Sequence, residues 1–372
     1  MTAHTANVTY TARPGLSTLA GRWAGMGPYY AMFPLEFALA VVGHFSKPGQ
    51  SILDPFCGRG TTLYAASYQS RRGLGVEINP VGWVFGKTKL RAAQEKDVLL
   101  RLRDVAEYAH EFKEVTKSLP QFFRWAFSFR VCCFLLSARY LLNWQNNIVD
   151  RTLVAFLLVY LHGKWGQALS NQLRQTKSMS PDYSVHWWRE RGMRPPEIDP
   201  IEFMTKRIQW RYQKGRPWSR FNDVILGDAV EVLSRDFVRK SSGFQLLLTS
   251  PPYYSVTNYF YDQWLRLWLL GGAEKPKSMG ETYKSKFQSQ AAYKQLLETV
   301  FGHCSTLMKH NAIIYVRTDA REFTLKTTIE SLKIAFPSKQ IEIHRRPLSG
   351  KSQTALFGDN TLKPGEVDLI MI

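Results

Sequence analysis

Two consecutive prolines, Pro251 and Pro252, close the apolar run Phe244–Leu248 and decide where it must end. Neither has a backbone N–H to donate, so neither continues a central strand. The run reads as a strand whose carboxyl end is a stiff turn, Ser250-Pro251-Pro252-Tyr253. Open α/β sheets place their ligands at that end. Such a turn gathers backbone carbonyls, a small hydroxyl and an aromatic ring in one place. Those groups suit a flat ring bearing an exocyclic amine: the oxygens accept from the NH2 and the phenol covers the ring face. The competing reading is a Pro-Pro loop with a surface tyrosine.

A second cluster, Asp54-Pro55-Phe56-Cys57-Gly58-Arg59-Gly60-Thr61-Thr62, ends the short apolar segment Ser51–Leu53 and opens a helical stretch, Leu63–Ser67. Strand, glycine turn and helix bring a nucleotide-like ligand close to backbone amides. Gly58 and Gly60 let the backbone approach without Cβ clashes. About twenty residues later Gly73-Leu74-Gly75-Val76-Glu77-Ile78-Asn79-Pro80 follows. Glu77, closing the second strand, is placed to hold ribose hydroxyls; the competing reading is an ordinary solvated carboxylate.

With Thr249-Ser250-Pro251-Pro252-Tyr253, the Asp54–Thr62 cluster resembles the motif pair of the S-adenosylmethionine-dependent amino methyltransferases of DNA. The resemblance extends over residues 25–90 and 221–372. It implies an α/β fold with a Rossmann-like class I methyltransferase sheet, mostly parallel with a closing antiparallel hairpin. It assigns Asp54, Pro55, Phe56, Gly58, Gly60, Thr61 and Thr62 to the methionine part of the cofactor, and Glu77, with Asn79 beside it, to the ribose. Asp228 and Ala229, in Leu226-Gly227-Asp228-Ala229, are similar to the acidic motif near the adenine ring. Tyr30, within Pro28–Leu35, falls in a segment resembling the family's cofactor-side motif. Ser250, Pro251, Pro252 and Tyr253 become the catalytic set that binds the target amine. A serine in first place resembles the cytosine-N4 branch; aspartate there is more usual in adenine-N6 enzymes. Two features depart from the family. Many cytosine-N4 enzymes carry the amine-binding motif first, whereas here the cofactor motif precedes it. A long segment, roughly 91–220, also separates the second and third strands.

The strand signals Ser51–Asp54, Leu74–Ile78, Val224–Leu226, Phe244–Thr249 and Ala312–Arg317 are separated by helix-like stretches, as parallel β-α-β units require. Gln340–His344 and Val367–Ile372 read as two further strands able to pair as a hairpin. Residues 1–94 and 221–372 then form the catalytic domain, and 95–220 a helical and basic-aromatic insertion, the candidate DNA-recognition region. Its first part, 95–162, reads as mostly helical. Between Leu161 and Arg220 twelve Lys/Arg outnumber five Asp/Glu, interleaved with Trp165, Tyr183, Trp187, Trp188, Trp210, Tyr212 and Trp218. Basic residues among aromatics suit phosphates and exposed bases; the competing reading is a local aromatic core. Candidate nucleic-acid contacts are Arg174, Lys177, Trp187 and Arg189, with Arg345, Arg346 and Lys351 from the hairpin loop. Beyond the diproline turn, Asn258–Leu270 reads as helical, with Asp262 as a helix-surface acid (a cofactor contact is the competing reading) and Tyr254 and Tyr259 as second-choice base contacts.

The net charge of +19 over 372 residues calls for a polyanionic partner. An anionic membrane is the weaker partner, because no lipidation signal or basic amphipathic terminal helix is present and Leu153–Leu161 is too short to span a bilayer. No signal peptide is read ahead of His4–Thr11. Cys57, Cys132, Cys133 and Cys304 lack zinc spacing and read as reduced thiols of a cytoplasmic protein without a metal site. His303, His310 and His344 read as structural or solvated. The expected activity is methyl transfer from S-adenosylmethionine to an exocyclic amine of a base flipped out of double-stranded DNA, cytosine N4 foremost. Adenine N6, an RNA base amine and a catalytically silent nucleic-acid-binding protein are the alternatives. A nicotinamide dehydrogenase shares the sheet but gives no reason for the diproline turn. A cognate restriction endonuclease or a defence system is the expected functional partner; the sequence is silent on oligomeric state.

Overall fold

Apolar runs bounded by Gly, Pro and Asp become the strands of one sheet in the computed structural model, which describes residues 12–27, 33–175, 178–241, 243–254, 259–276, 289–346 and 365–372. The strands are β1 (Ser51–Asp54), β2 (Arg72–Glu77), β3 (Asn222–Leu226), β4 (Phe244–Thr249), β5 (Met308–Asp319), β6 (Ile341–Arg346) and β7 (Glu366–Met371). Their order across the sheet is β3-β2-β1-β4-β5-β7-β6. Every pairing from β3 to β5 is parallel, and β7 runs antiparallel to both β5 and β6. This is the Rossmann-like class I methyltransferase arrangement, with the expected hairpin closing it. The sequence did not reveal that β7 enters between β5 and β6. Buried Arg317 on β5 accounts for that position: its guanidinium donates to both carboxylate oxygens of Asp368 on β7, at 2.6 and 2.9 Å.

Each central strand buries both faces, as parallel sheets require. Ile52, Leu246 and Leu248 point into one apolar cluster, and Leu53 and Leu247 into the other. The second cluster is covered by the helices Gln290–Leu307 and Glu322–Ala335. The first lies beneath the helices Leu35–Phe45, Thr61–Tyr68 and Pro80–Leu90, and it continues without a break into the inserted segment through Leu102, Phe134, Phe156 and Trp188. Residues 95–160 are mostly helical, the longest helices being Glu95–Glu107, Phe129–Leu141 and Ile148–Tyr160. Asn147 caps the last of these by accepting from the Val149 and Asp150 N–H groups.

The basic-aromatic stretch holds two helices, Pro181–Glu190 and Pro200–Tyr212, each begun by a proline whose missing N–H costs nothing there. Trp188 and Tyr212 are buried and belong to the core, whereas Trp165, Tyr183 and Trp218 are exposed. The local-core reading thus holds for Trp188 and Tyr212, while the three exposed rings lie outside that core. All four cysteines are free and buried. Among the described residues no helix is long and apolar enough to cross a membrane, and no His/Cys/Asp/Glu group could hold a metal ion.

Candidate active site

The strand order reverses between β1 and β4, so a crevice opens at their carboxyl ends. Both sequence motifs emerge there. β1 and β4 are direct neighbours, with Ile52 opposite Leu246 and Leu53 opposite Leu247, so Asp54 and Thr249 leave the sheet side by side. The Thr249 hydroxyl donates to Asp54 Oδ1 at 2.7 Å, and the Phe56 N–H donates to the same oxygen at 3.2 Å. Burial pushes the Asp54 carboxyl up to about 6, even though these hydrogen bonds favour its charged form.

After Asp54 the chain turns tightly. The Cys57 N–H reaches the Val76 carbonyl at 3.0 Å, and the Gly60 N–H returns to the Cys57 carbonyl at 2.7 Å. Gly58 and Gly60 take φ values of +54° and +72°, where a side chain is strained. A Cβ on Gly60 would also meet Gly86 Cα at 3.1 Å. Thr61 and Thr62, both buried, then begin the helix Thr61–Tyr68.

At the end of β2, Glu77 is 8% exposed, which excludes the solvated-carboxylate reading. Burial raises its carboxyl to about 7, against hydrogen bonds from the Asn79 and Gly58 backbone. The Asn79 N–H donates to Glu77 Oε1 at 2.8 Å, and Asn79 caps the following helix through the Val81 N–H. The Glu77 carbonyl accepts from Gly227 N at 3.0 Å, which ties the ends of β2 and β3 together. The next residue, Asp228, caps the helix Ala229–Leu233. Asp54, Glu77 and Asp228 thus end three adjacent strands on one edge.

The diproline turn completes that edge. Pro251 is buried, while Ser250, Pro252 and Tyr253 are partly exposed. The Ser250 hydroxyl lies 3.5 Å from the Tyr253 hydroxyl. Tyr254 packs edge-on against Phe323 and Tyr293, with ring centroids 4.9 and 5.6 Å away, bracing the turn from the other core. Asp262 is 5% exposed, not a surface acid; inserted residues cover it, and its carbonyl accepts from Ser178 N at 2.8 Å. The helix expected over Asn258–Leu270 is split into Tyr259–Asp262 and Trp264–Leu269.

Arg345, one residue before the end of β6 on this same edge, is exposed. Arg174 and Arg189 are exposed on the insertion, and Trp187 is half-buried. Tyr30, Lys177, Lys351 and the side chains of Tyr259 and Arg346 lie outside the described residues. Sequence reasoning passed over Thr249 as a site residue. Its position one residue before Ser250 is the only signal it offers, because its task depends on a neighbouring strand.

The residues present fit the cofactor that the resemblance implies. Among the described residues Arg59 Nε and Asn79 Nδ2 are buried without a hydrogen-bond partner, and the glycine turn leaves room for close approach. The Glu77 carboxyl offers acceptor oxygens where sugar hydroxyls would donate.

Fold and edge together define an open Rossmann-like α/β sheet with its polar groups gathered at the strands' carboxyl ends. Residues 7–81, which include the glycine turn and β2, match the sequence model of the N6/N4 DNA methylase family. A Type II methyltransferase of Citrobacter freundii, M.Cfr9I, is 37% identical over 54 residues, which is 14% of this chain and 18% of that protein. M.EcaI, a Type II methyltransferase of Enterobacter cloacae, is 49% identical over 37 residues, 10% of this chain and 8% of that protein. The chain therefore spans less than a fifth of the length of these relatives. Among solved structures, the rRNA methyltransferase aviRa of Streptomyces viridochromogenes aligns over 96% of this chain and 92% of its own, at 11% identity and a TM-score of 0.36. The similarity to the N6/N4 DNA methylase family model is confined to the N-terminal motif region, residues 7–81.

Proposed function

We propose that this protein transfers a methyl group from S-adenosylmethionine to an exocyclic amine of a base in DNA, cytosine N4 foremost. The observation that carries this reading is the Thr249–Asp54 hydrogen bond of 2.7 Å. It couples the cofactor-side turn to the amine-side turn at the point where the strand order reverses.

S-adenosylmethionine supplies an electrophilic methyl group on a sulfonium. The chain supplies position. Gly58 and Gly60 admit the cofactor against the backbone, Glu77 accepts from its ribose, and Asp228 marks the adenine side. The target amine is a poor nucleophile because its lone pair is delocalised into the ring. The Ser250 hydroxyl and the Pro251 carbonyl accept from its two N–H groups and draw the nitrogen toward tetrahedral geometry, which localises the lone pair. Tyr253 covers the ring face of a base flipped out of the duplex. The rigid turn holds these dipoles in advance, so little reorganisation is left for the reaction. The serine at position 250 favours cytosine over adenine. The basic inserted segment is the DNA-recognition region in this reading, and a cognate nuclease is its natural partner.

The test is incubation with methyl-labelled cofactor and duplex DNA, followed by nucleoside analysis. Label in N4-methylcytosine is expected. Label in N6-methyladenine would overturn the choice of base, and label only in RNA would overturn the choice of DNA.

A further inference from the structure

We infer that Arg189 and Arg194, stacked on Trp125, form a clamp for a phosphodiester of the nucleic-acid backbone. The occupant follows from the DNA reading above; the chemistry follows from the surface itself. The Arg194 guanidinium lies 4.4 Å from the Trp125 ring centroid and that of Arg189 lies 5.4 Å away, both within cation–π range. Both arginines are exposed and Trp125 is half-buried. Among the described residues neither guanidinium makes an ion pair or a side-chain hydrogen bond.

Neighbouring arginines behave differently. Arg191 stacks on Trp187 at 4.5 Å but is paired with Glu190 at 3.2 Å. Arg130 is paired with Asp199 at 2.7 Å. Arg189 and Arg194 therefore stand out as two like charges held on one ring with no carboxylate to neutralise them. Stacking restrains each guanidinium plane while leaving its N–H fork open, a geometry that matches the two free oxygens of a phosphodiester. A carboxylate ligand would satisfy one fork once. A polyanion satisfies both and answers the +19 net charge of the chain.

The clamp is built in rather than a chance encounter of mobile side chains. The Trp165 indole N–H holds the Arg194 carbonyl at 3.1 Å. Asn171 holds the carbonyls of Trp125 at 3.0 Å and Ala126 at 2.6 Å. The same helix, Gln121–Ala126, also carries Phe122 and Phe123, which pack on Trp264 at 4.9 and 6.4 Å; Phe123 also meets Trp268 at 4.6 Å. Those tryptophans belong to the helix Trp264–Leu269, which follows the diproline turn. One short helix thus carries the clamp's ring and also braces the segment that follows the diproline turn, so a gripped strand is held in register with the turn.

The test is duplex DNA binding by the full chain, without cofactor, over a range of salt concentrations. The double substitution Arg189→Gln with Arg194→Gln is expected to weaken binding about tenfold or more and to lower the log–log salt slope by about 2. Thermal melting and cofactor affinity should stay as in the parent. Lysine at both positions should keep the slope and regain only part of the affinity, because the fork is lost but the charge is not. Unchanged affinity and slope in a normally melting double-glutamine variant would overturn the clamp. Transfer is not needed for this readout, so the two proposals fail separately. DNA binding that depends on the clamp in a protein that methylates nothing would sink only the transferase reading. Methylation with an unchanged KM for DNA after clamp removal would sink only the clamp.

Discussion

Thr249 and Glu77 carry the most exacting work for single residues. Asp54 is buried, and the Thr249 hydroxyl is its one side-chain donor at hydrogen-bond distance on β4. Thr249→Val keeps the shape and removes the donor, leaving a buried carboxylate oxygen short of a partner. Denaturant titration should register a loss of about 1–3 kcal/mol, and cofactor affinity should fall with it; a variant as stable as the parent would refute the coupling. Glu77 makes a prediction about pH. Its carboxyl is raised to about 7 and that of Asp54 to about 6. A raised carboxyl contributes stability that is fully present below the ordinary carboxylate range and is lost as pH climbs through the raised value. The cofactor-free protein should therefore melt higher near pH 5 than near pH 8. If Glu77 holds the ribose as proposed, the hydroxyls donate to its ionised form, so cofactor binding should release a proton near pH 7. Calorimetry in two buffers of different ionisation enthalpy would detect it, and Glu77→Gln should abolish it; proton uptake, or release that persists in the variant, would contradict the assignment.

Among the elements, β1 and β4 were legible to the residue, because Asp54-Pro55 and Ser250-Pro251 end them chemically. β5 begins earlier than its apolar stretch, at Met308, since exposed Lys309, His310 and Asn311 extend the strand without apolar character. The placement of β7 was not legible, because it rests on a pairing between Arg317 and Asp368 some fifty residues apart. Nor was the burial of Asp262, because periodicity along one helix says nothing of what covers it. The cover is held by Arg266, fully buried, which donates to the Leu158 carbonyl at 2.8 Å, the Gln263 side chain at 2.6 Å and the Gln175 carbonyl at 2.5 Å. Arg266→Met should strip those acceptors and cost about 2–4 kcal/mol. Amide exchange in residues 170–175 should quicken more than in β1 or β4; uniform exchange would mean that Arg266 supports the fold as a whole instead of this segment.

For the molecule as a whole, one continuous core joins the sheet to the inserted helices, and one edge gathers the polar groups. Much of the site could be read in advance, since Asp54, Glu77, Asp228 and Ser250 each close a strand and the strands prove adjacent. What could not be read were contacts between distant segments: Thr249 with Asp54, Tyr254 with Phe323, and Trp125 with Arg194. The central claim is that the diproline turn presents acceptors and a ring to a base amine beside the cofactor. Its most direct test is single-turnover methyl transfer by Tyr253→Ala, with cofactor affinity measured on the same preparation. The account predicts a rate lowered about 100-fold or more with cofactor affinity near that of the parent. Transfer at the parent rate, or affinity lost in step with rate, would contradict it.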